Sequence, residues 1–295
     1  MNIINQTKLT LNMNKISLIA GAIALTLTTL VSQAQTLKTP APSSSQTIKQ
    51  GFGLGDITVD YSRPSVKGRT VYGDLVPFGK VWRTGANAAT KITFSEDVKV
   101  EDKDVKAGTY AVYTIPNKDS WEFILYTDLT MGGNTSAYKA ENEVLHVTVK
   151  PTALTSKVET FTINLADVTG TSATLELLWD KTRVPVRITT EIDAKVMKSI
   201  ESTMAVDSRP YFQAANYYYE NNKDLNQALV WINKAVEQNP KAFWMTMLKA
   251  RIELKLNDKK AAIATAEKTA ALATEAKNDD YVKMANDLIV EAKKK

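Results

Sequence analysis

The sequence predicts an antiparallel β-sandwich, jelly-roll-like in architecture, followed by an array of α-helical hairpins. Three observations predict it: β-branched residues and glycine crowd the first part, alanine crowds the second, and the hydrophobic period changes between them. Residues 51–190 hold 16 Val, 21 Thr and 11 of the 12 glycines, against 10 Ala in 140 residues. Residues 191–295 hold 18 Ala with only 6 Val and 5 Thr, and no glycine. Branched side chains suit a half-buried pleated surface and glycine suits turns. Alanine without glycine suits helices. The boundary therefore falls near residue 190.

The chain begins with Lys8 and Lys15, then an apolar run from Ile16 to Val31, then Ser32-Gln33-Ala34. A basic start, an apolar centre and a small-x-small end describe a cleaved secretory signal peptide, residues 1–34, with Gln35 as the first mature residue. Ser17, Thr26, Thr28 and Thr29 dilute the run below what a transmembrane helix of about 20 residues requires. Translation from Met13 would give a more compact signal. The mature protein is expected in the periplasm or outside the cell, with no stable membrane insertion. Residues 35–50, rich in Pro, Ser and Thr, read as a flexible linker.

The β-sandwich is assigned to 51–190 because apolar residues alternate there. Ile57, Val59 and Tyr61 share a face, as do Ile92 and Phe94, and Phe161, Ile163 and Leu165. Ala173-to-Leu177 and Val184-to-Ile188 continue the habit as two further strands. A period of two marks half-buried strands. Pro116-Asn117-Lys118-Asp119-Ser120 carries hairpin-turn residues between two such runs. About ten short strands without intervening helices favour antiparallel sheets.

Residues 191–295 have helical period. Leu225, Ala228, Leu229, Ile232, Ala235 and Val236 share one face; Tyr281, Met284, Ala285, Leu288 and Ala292 share another. Tyr219, Ala228, Ala235 and Pro240 stand where the tetratricopeptide pattern places Tyr, Ala, Ala and Pro, and a shift of 34 residues takes Ala228 to Ala262. The segment YYYENNKDLNQALVWINKAVEQNP resembles a tetratricopeptide unit. Ala250 and Ala262 mark a weaker second unit, and 279–293 a closing helix. So short an array is expected to pack on the β part or on a partner. Tyr211, Tyr217, Tyr218, Trp231, Phe243 and Trp244 are divided between its core and a surface that would hold a protein or peptide.

The run YSRPSVKGRTVYGDLVPFGKVWRTGANAATKITFSEDV, with VKAGTYAVYTIPNKDSWEFILYTD after it, resembles the exported bacterial family known as domain of unknown function 2911. The resemblance covers Gly53 to Val186 and implies compartment and fold; the family carries no assigned reaction. The helical tail is similar to those attached to many members. Met131-Gly132-Gly133-Asn134 departs from the tryptophan-and-glycine loop the resemblance implies there.

Composition removes most enzyme chemistries. Cysteine is absent and His146 is the single histidine. Thiol nucleophiles, zinc-thiolate sites and multi-histidine metal sites are excluded, and no metal or cofactor is expected. Lys8 and Lys15 are the only charges before residue 35, so the net charge falls from +5 to +3 on cleavage. That balance argues against nucleic acid.

One segment stands out. Residues 63–91 carry six cations, Arg63, Lys67, Arg69, Lys80, Arg83 and Lys91, with Asp74 as the one acid. Arginine is a fork suited to carboxylate or phosphate. Trp82 offers a stacking face and Asn87 both a donor and an acceptor. Arg63, Arg69, Trp82, Arg83 and Asn87 form the candidate binding set, for an anionic or carbohydrate-like ligand. The opposed structural reading has Glu96, Asp97, Glu101, Asp102 and Asp104 neutralising these arginines, with Trp82 in the core. His146 reads as a surface residue, acting as a base only if a serine or carboxylate approaches it. Asp56 and Asp60 lie about 13 Å apart along one strand, too far for a close acid–base pair. Asn134-Thr135-Ser136 fits a glycosylation sequon by chance. The sequence thus favours a non-enzymatic exported binding or scaffolding protein; the alternative is a hydrolase, carbohydrate-active or otherwise, using carboxylates of the β part.

Overall fold

The computed structural model describes residues 39–204 and 209–294. The expected signal peptide lies outside them. Ten strands come first: β1 Ser44–Phe52, β2 Gly55–Arg63, β3 Thr90–Phe94, β4 Val98–Val100, β5 Lys103–Val105, β6 Gly108–Pro116, β7 Trp121–Tyr126, β8 Glu143–Val149, β9 Thr152–Ala166 and β10 Ser172–Thr189. They pair antiparallel in a six-stranded sheet, β1-β2-β3-β6-β7-β8, and a four-stranded sheet, β5-β4-β10-β9. The alternation read from the sequence holds. Ile57, Val59, Ile92 and Phe94 from one sheet and Phe161, Ile163, Leu175 and Leu177 from the other meet in one buried cluster. Each such side chain stabilises by roughly 1.5–3 kcal/mol on burial.

Two expectations need correction. The segment 35–50 is not all linker: Ser44 pairs with Arg63 and the register runs unbroken to Phe52 opposite Gly55. β1 is an edge strand, so its polar side chains face water without cost and its pairing left little hydrophobic signal. The two strands expected in 172–189 are one. The parity of its buried residues shifts, from Leu175, Leu177 and Trp179 to Val184, Val186 and Ile188. Register shifts bracket Asp180, whose φ is +51°. A bulge inserts the odd residue that moves the same face inward again.

The outer face of the six-stranded sheet is also covered. Ala111, Tyr113, Ile124 and Tyr126 pack against Met131 from the loop after β7. That loop carries a 3-10 turn at Ala140–Asn142 and rejoins the sheet at β8.

Helices follow: α1 Asp193–Thr203, α2 Tyr211–Glu220, α3 Leu225–Gln238, α4 Phe243–Lys255, α5 Lys259–Glu275 and α6 Asp279–Ala292. The change from strand to helix lies between Thr189 and Asp193. From α2 onward each helix packs on the next, and α4 also meets α6. Ala228, Ala250, Ala262 and Ala285 are fully buried, and their small side chains permit the close approach. Asp224, Asp258 and Asn278 cap α3, α5 and α6. Of the aromatic residues singled out, Tyr218 meets Trp231 at 4.8 Å and Phe243 meets Tyr281 at 4.9 Å, whereas Trp244 is 43% exposed. Among the described residues no helix is long and apolar enough to cross a membrane.

Asp193 fastens α1 to the helices beyond it. Its carboxylate accepts from Tyr217 at 2.9 Å and from Lys223 at 2.7 Å. The Lys223 hydrogen bond, then that of Tyr217, holds the Asp193 carboxyl below its ordinary value of 3.8. Partial burial and then Asp193 push the Tyr217 phenol up to about 12. A depressed carboxyl stabilises above its unfolded value and stops doing so as pH falls through the folded one. A raised phenol stabilises below its unfolded value, 10.0, and stops as pH rises through about 12. The contact is therefore expected to persist from about pH 4 to pH 10 and to loosen on both sides. Amide exchange along α1 as a function of pH checks this; flat protection down to pH 2 would refute it.

Candidate functional site

The site is built on the loop from Pro64 to Ala89 between β2 and β3. Its start is laced to β9: Val66 donates its N–H to the Glu159 carbonyl and Phe161 donates to that of Pro64, both at 2.8 Å. Its end is laced to β6: Trp82 and Thr114 exchange backbone hydrogen bonds at 2.7 and 2.9 Å. The loop thus ties the two sheets, and Val66, Val71 and Val76 plug into their common core. The Thr84 and Thr114 hydroxyls lie 3.1 Å apart and the Thr90 hydroxyl donates to the Thr84 carbonyl at 2.6 Å. These buried bonds hold the 82–90 turn rigid.

Against this loop lies a cavity of about 310 Å³, lined among others by Ser43, Lys67, Arg69, Trp82, Arg83 and Trp179. No carboxylate lines it. Of the five predicted site residues, the structure brings three together here: Arg69, Trp82 and Arg83. Arg69 is closed onto its own loop, donating to the carbonyls of Val66 at 3.0 Å and Ser65 at 2.6 Å. Arg83 is half-buried, and its Nε is buried without a hydrogen-bond partner. The guanidinium lies directly against Gly133, where any side chain would collide with it. The loop at 131–134 thus covers Arg83.

The other expectations are corrected. Trp82 is 8% exposed and lies face to face with Trp179 at 5.8 Å, so the stacking face expected for a ligand belongs to the core. Arg63 is outside the cavity. It clasps the sheets instead, with Nε donating to the Phe161 carbonyl at 3.1 Å and Nη2 to the Thr162 hydroxyl at 2.8 Å. Asn87 likewise reaches the Ser43 carbonyl and the Ser62 hydroxyl rather than the cavity.

The acids of 96–104 do not neutralise the arginines. Asp97 pairs with Lys106, Asp104 with Lys99, Glu96 with Lys195, and Asp102 with Arg187. Among the described residues no ion pair involves Arg63, Arg69 or Arg83. Glu159 lies near enough to feel the charge of Arg69. It accepts from the Lys67 backbone N–H at 2.7 Å, which holds its carboxyl below the ordinary range, with Lys157 and Arg69 adding to the effect.

The carboxylates of β2 are separated in use: Asp56 pairs with Lys49 at 3.1 Å and Asp60 accepts from Thr47. Carboxylates do approach His146, which sequence spacing left open. Its Nδ1 is 2.8 Å from Glu143 and its Nε2 is 3.3 Å from Glu122. Tyr138 donates to Glu143 at 2.6 Å. This group lies on the exposed side of β8, outside the cavity. Among the described residues no cluster of three or more His, Asp or Glu is arranged to hold a metal ion.

The residues sequence reasoning passed over are the walls of a second cavity, of about 300 Å³, with Tyr72, Phe78 and Lys118 among its lining. In the sequence Lys118 reads only as part of the turn at 116–120.

Comparison with known proteins returns no significant match to a curated protein or to a solved structure. A family model does match, over the strands and the loop just described. Residues 43–188, the sheet-forming part of this chain, match the model of the family described as "Protein of unknown function (DUF2911)".

Proposed function

We propose that this chain is an exported, non-enzymatic binding or scaffolding protein, in which the cavity at Arg69 and Arg83 takes a small anionic or carbohydrate-like ligand and the helical part contacts protein. One observation carries the reading: Lys67, Arg69 and Arg83 line one cavity with no carboxylate among its walls. Arg83 lines this cavity with no ion-pair partner among the described residues, so its charge there is unmatched. Charge-assisted contacts to a fork are also the strong ones.

The finer architecture belongs to the same reading. Two antiparallel sheets meeting in one buried cluster support a β-sandwich. The 34-residue offset between Ala228 and Ala262, both fully buried, supports tetratricopeptide-like hairpins. A groove of about 510 Å³ between α2, α4 and α6 has Arg251 and Lys255 facing Asp287 and Glu291, which suits a protein segment of mixed charge. The basic, apolar and small-residue order of 1–34 supports export.

The hydrolase alternative needs two carboxylates at a cavity, about 5–9.5 Å apart for a glycosidase. Neither cavity of the sheet part described above has even one in its lining. Thermal-shift screening against inorganic phosphate, sulfated and carboxylated glycans, neutral glycans and peptides tests the proposal. Anions are expected to stabilise, by about 2.7 kcal/mol at a hundredfold excess over Kd. Stabilisation by peptides alone, or turnover of a glycan, would overturn it.

A further inference from the structure

We propose that the cavity at Tyr72 and Phe78 is a second ligand site, separate from the one above, and that it takes an acidic sugar residue. The cavity lies between the 64–89 loop, the β6–β7 turn and the bulged region of β10. An aromatic wall divides it from the first cavity. Tyr72 packs edge-on against Trp121 at 5.0 Å and Trp179 at 6.1 Å, and Trp179 in turn stacks on Trp82.

Three kinds of group converge on it. Phe78 is exposed, and its ring lies against Gly73, whose φ of +94° and missing side chain make room for it. An added Cβ at Gly73 would lie 2.8 Å from the ring. Such a fixed aromatic face suits the C–H face of a pyranose, the ring being electron-rich on its face. Next, the Asn117 amide, the Tyr72 phenol and the Thr182 hydroxyl line the cavity, and none has a hydrogen-bond partner among the described residues. Burial, and then the charge of Asp180, raise the Tyr72 phenol, so it remains an O–H donor at neutral pH. Several neutral donors and acceptors around one space suit several hydroxyls. Last, Lys118 and Lys181 bring two ammonium groups, and neither is within ion-pair distance of a carboxylate. Asp119 and Asp180 adjoin them in sequence but do not line the cavity.

A neutral sugar leaves both lysines unmatched. A simple aromatic acid leaves the amide and the hydroxyls unmatched. A uronic-acid unit matches all three sets, with its carboxylate at the lysines, its hydroxyls at Asn117, Tyr72 and Thr182, and its ring over Phe78.

The test is calorimetric titration of the full mature chain with a galacturonate trisaccharide, the matched neutral galactose trisaccharide, and benzoate. Two variants, Phe78→Ala and the pair Lys118→Ala with Lys181→Ala, remove exposed side chains, and their unfolding curves verify that the fold is kept. The galacturonate oligomer is expected to bind saturably and to lose at least about tenfold in affinity in each variant. The neutral oligomer and benzoate are expected to bind at least about tenfold more weakly than it does. Arg69→Met with Arg83→Met, which addresses the first cavity, is expected to leave this binding unchanged, so failure of either site is seen separately. Absence of saturable binding, equal binding of the neutral oligomer or benzoate, or loss only in the Arg69/Arg83 pair would overturn the proposal.

Discussion

Trp82→Ala is expected to destabilise the sheet part by about 3–5 kcal/mol, the usual cost of deleting a buried Trp or Phe ring. Trp82 sits at the centre of a cluster: it stacks on Trp179, meets Phe161 edge-on at 5.3 Å and Trp121 at 6.4 Å, and donates its indole N–H to the Gly85 carbonyl at 3.1 Å. Removing it opens a void between rings that cannot collapse, because Trp179 and Phe161 are fixed by their own strands. It also leaves the Gly85 carbonyl without its donor. Urea unfolding followed by the remaining tryptophans measures the loss. Trp82→Phe keeps part of the packing and is expected to lose less. A change below about 1 kcal/mol for Trp82→Ala would mean that the ring serves a ligand rather than the core.

Arg69→Met with Arg83→Met is expected to weaken binding of a small anion by about a hundredfold or more, and to lower stability only by what the two carbonyl hydrogen bonds of Arg69 contribute. A charge-assisted hydrogen bond contributes about 1.5–3 kcal/mol, and two are removed. Methionine retains the apolar stem but removes the guanidinium that lies against Gly133. Arg63→Met is the contrasting variant. Arg63 holds β2 to β9 through Phe161 and Thr162, so its loss is expected to lower stability while the affinity of the folded protein for the anion stays within about threefold. Equilibrium unfolding beside titration separates the two effects. If Arg63→Met abolishes binding and the Arg69/Arg83 pair does not, the site has been placed wrongly.

The contrast between Arg63 and Arg83 shows where the sequence stops being informative. Both are arginines of one cationic segment, and their charge was legible. What occupies a guanidinium is not. Arg63 is taken up by a backbone carbonyl and a hydroxyl on β9, roughly a hundred residues away in sequence, which only the pairing of the loop with β9 brings near. Trp82 belonged to the core for the same reason: its partners Trp121, Phe161 and Trp179 come from three other strands. Local pattern, by contrast, carried the fold. The alternation of Ile57, Val59 and Tyr61 needs no distant partner to declare a buried face. The parity change across Asp180 was also present, though without coordinates it reads as two strands rather than one bulged strand. β1 escaped notice because an edge strand need bury little, and a segment such as Ser44-Ser45-Gln46-Thr47 then resembles a linker. The second cavity draws on a loop, a turn and a bulge, three places with no shared period.

The most direct test of the account is the side-chain Nε–H resonance of Arg83, followed by NMR in labelled protein as inorganic phosphate is added. That donor is buried without a hydrogen-bond partner, on a side chain that lines a cavity without carboxylates. The account predicts a saturable shift of this resonance at one phosphate per chain, abolished at high salt and absent from Arg63. An unmoved Arg83 signal, with changes scattered over surface lysines, would contradict it.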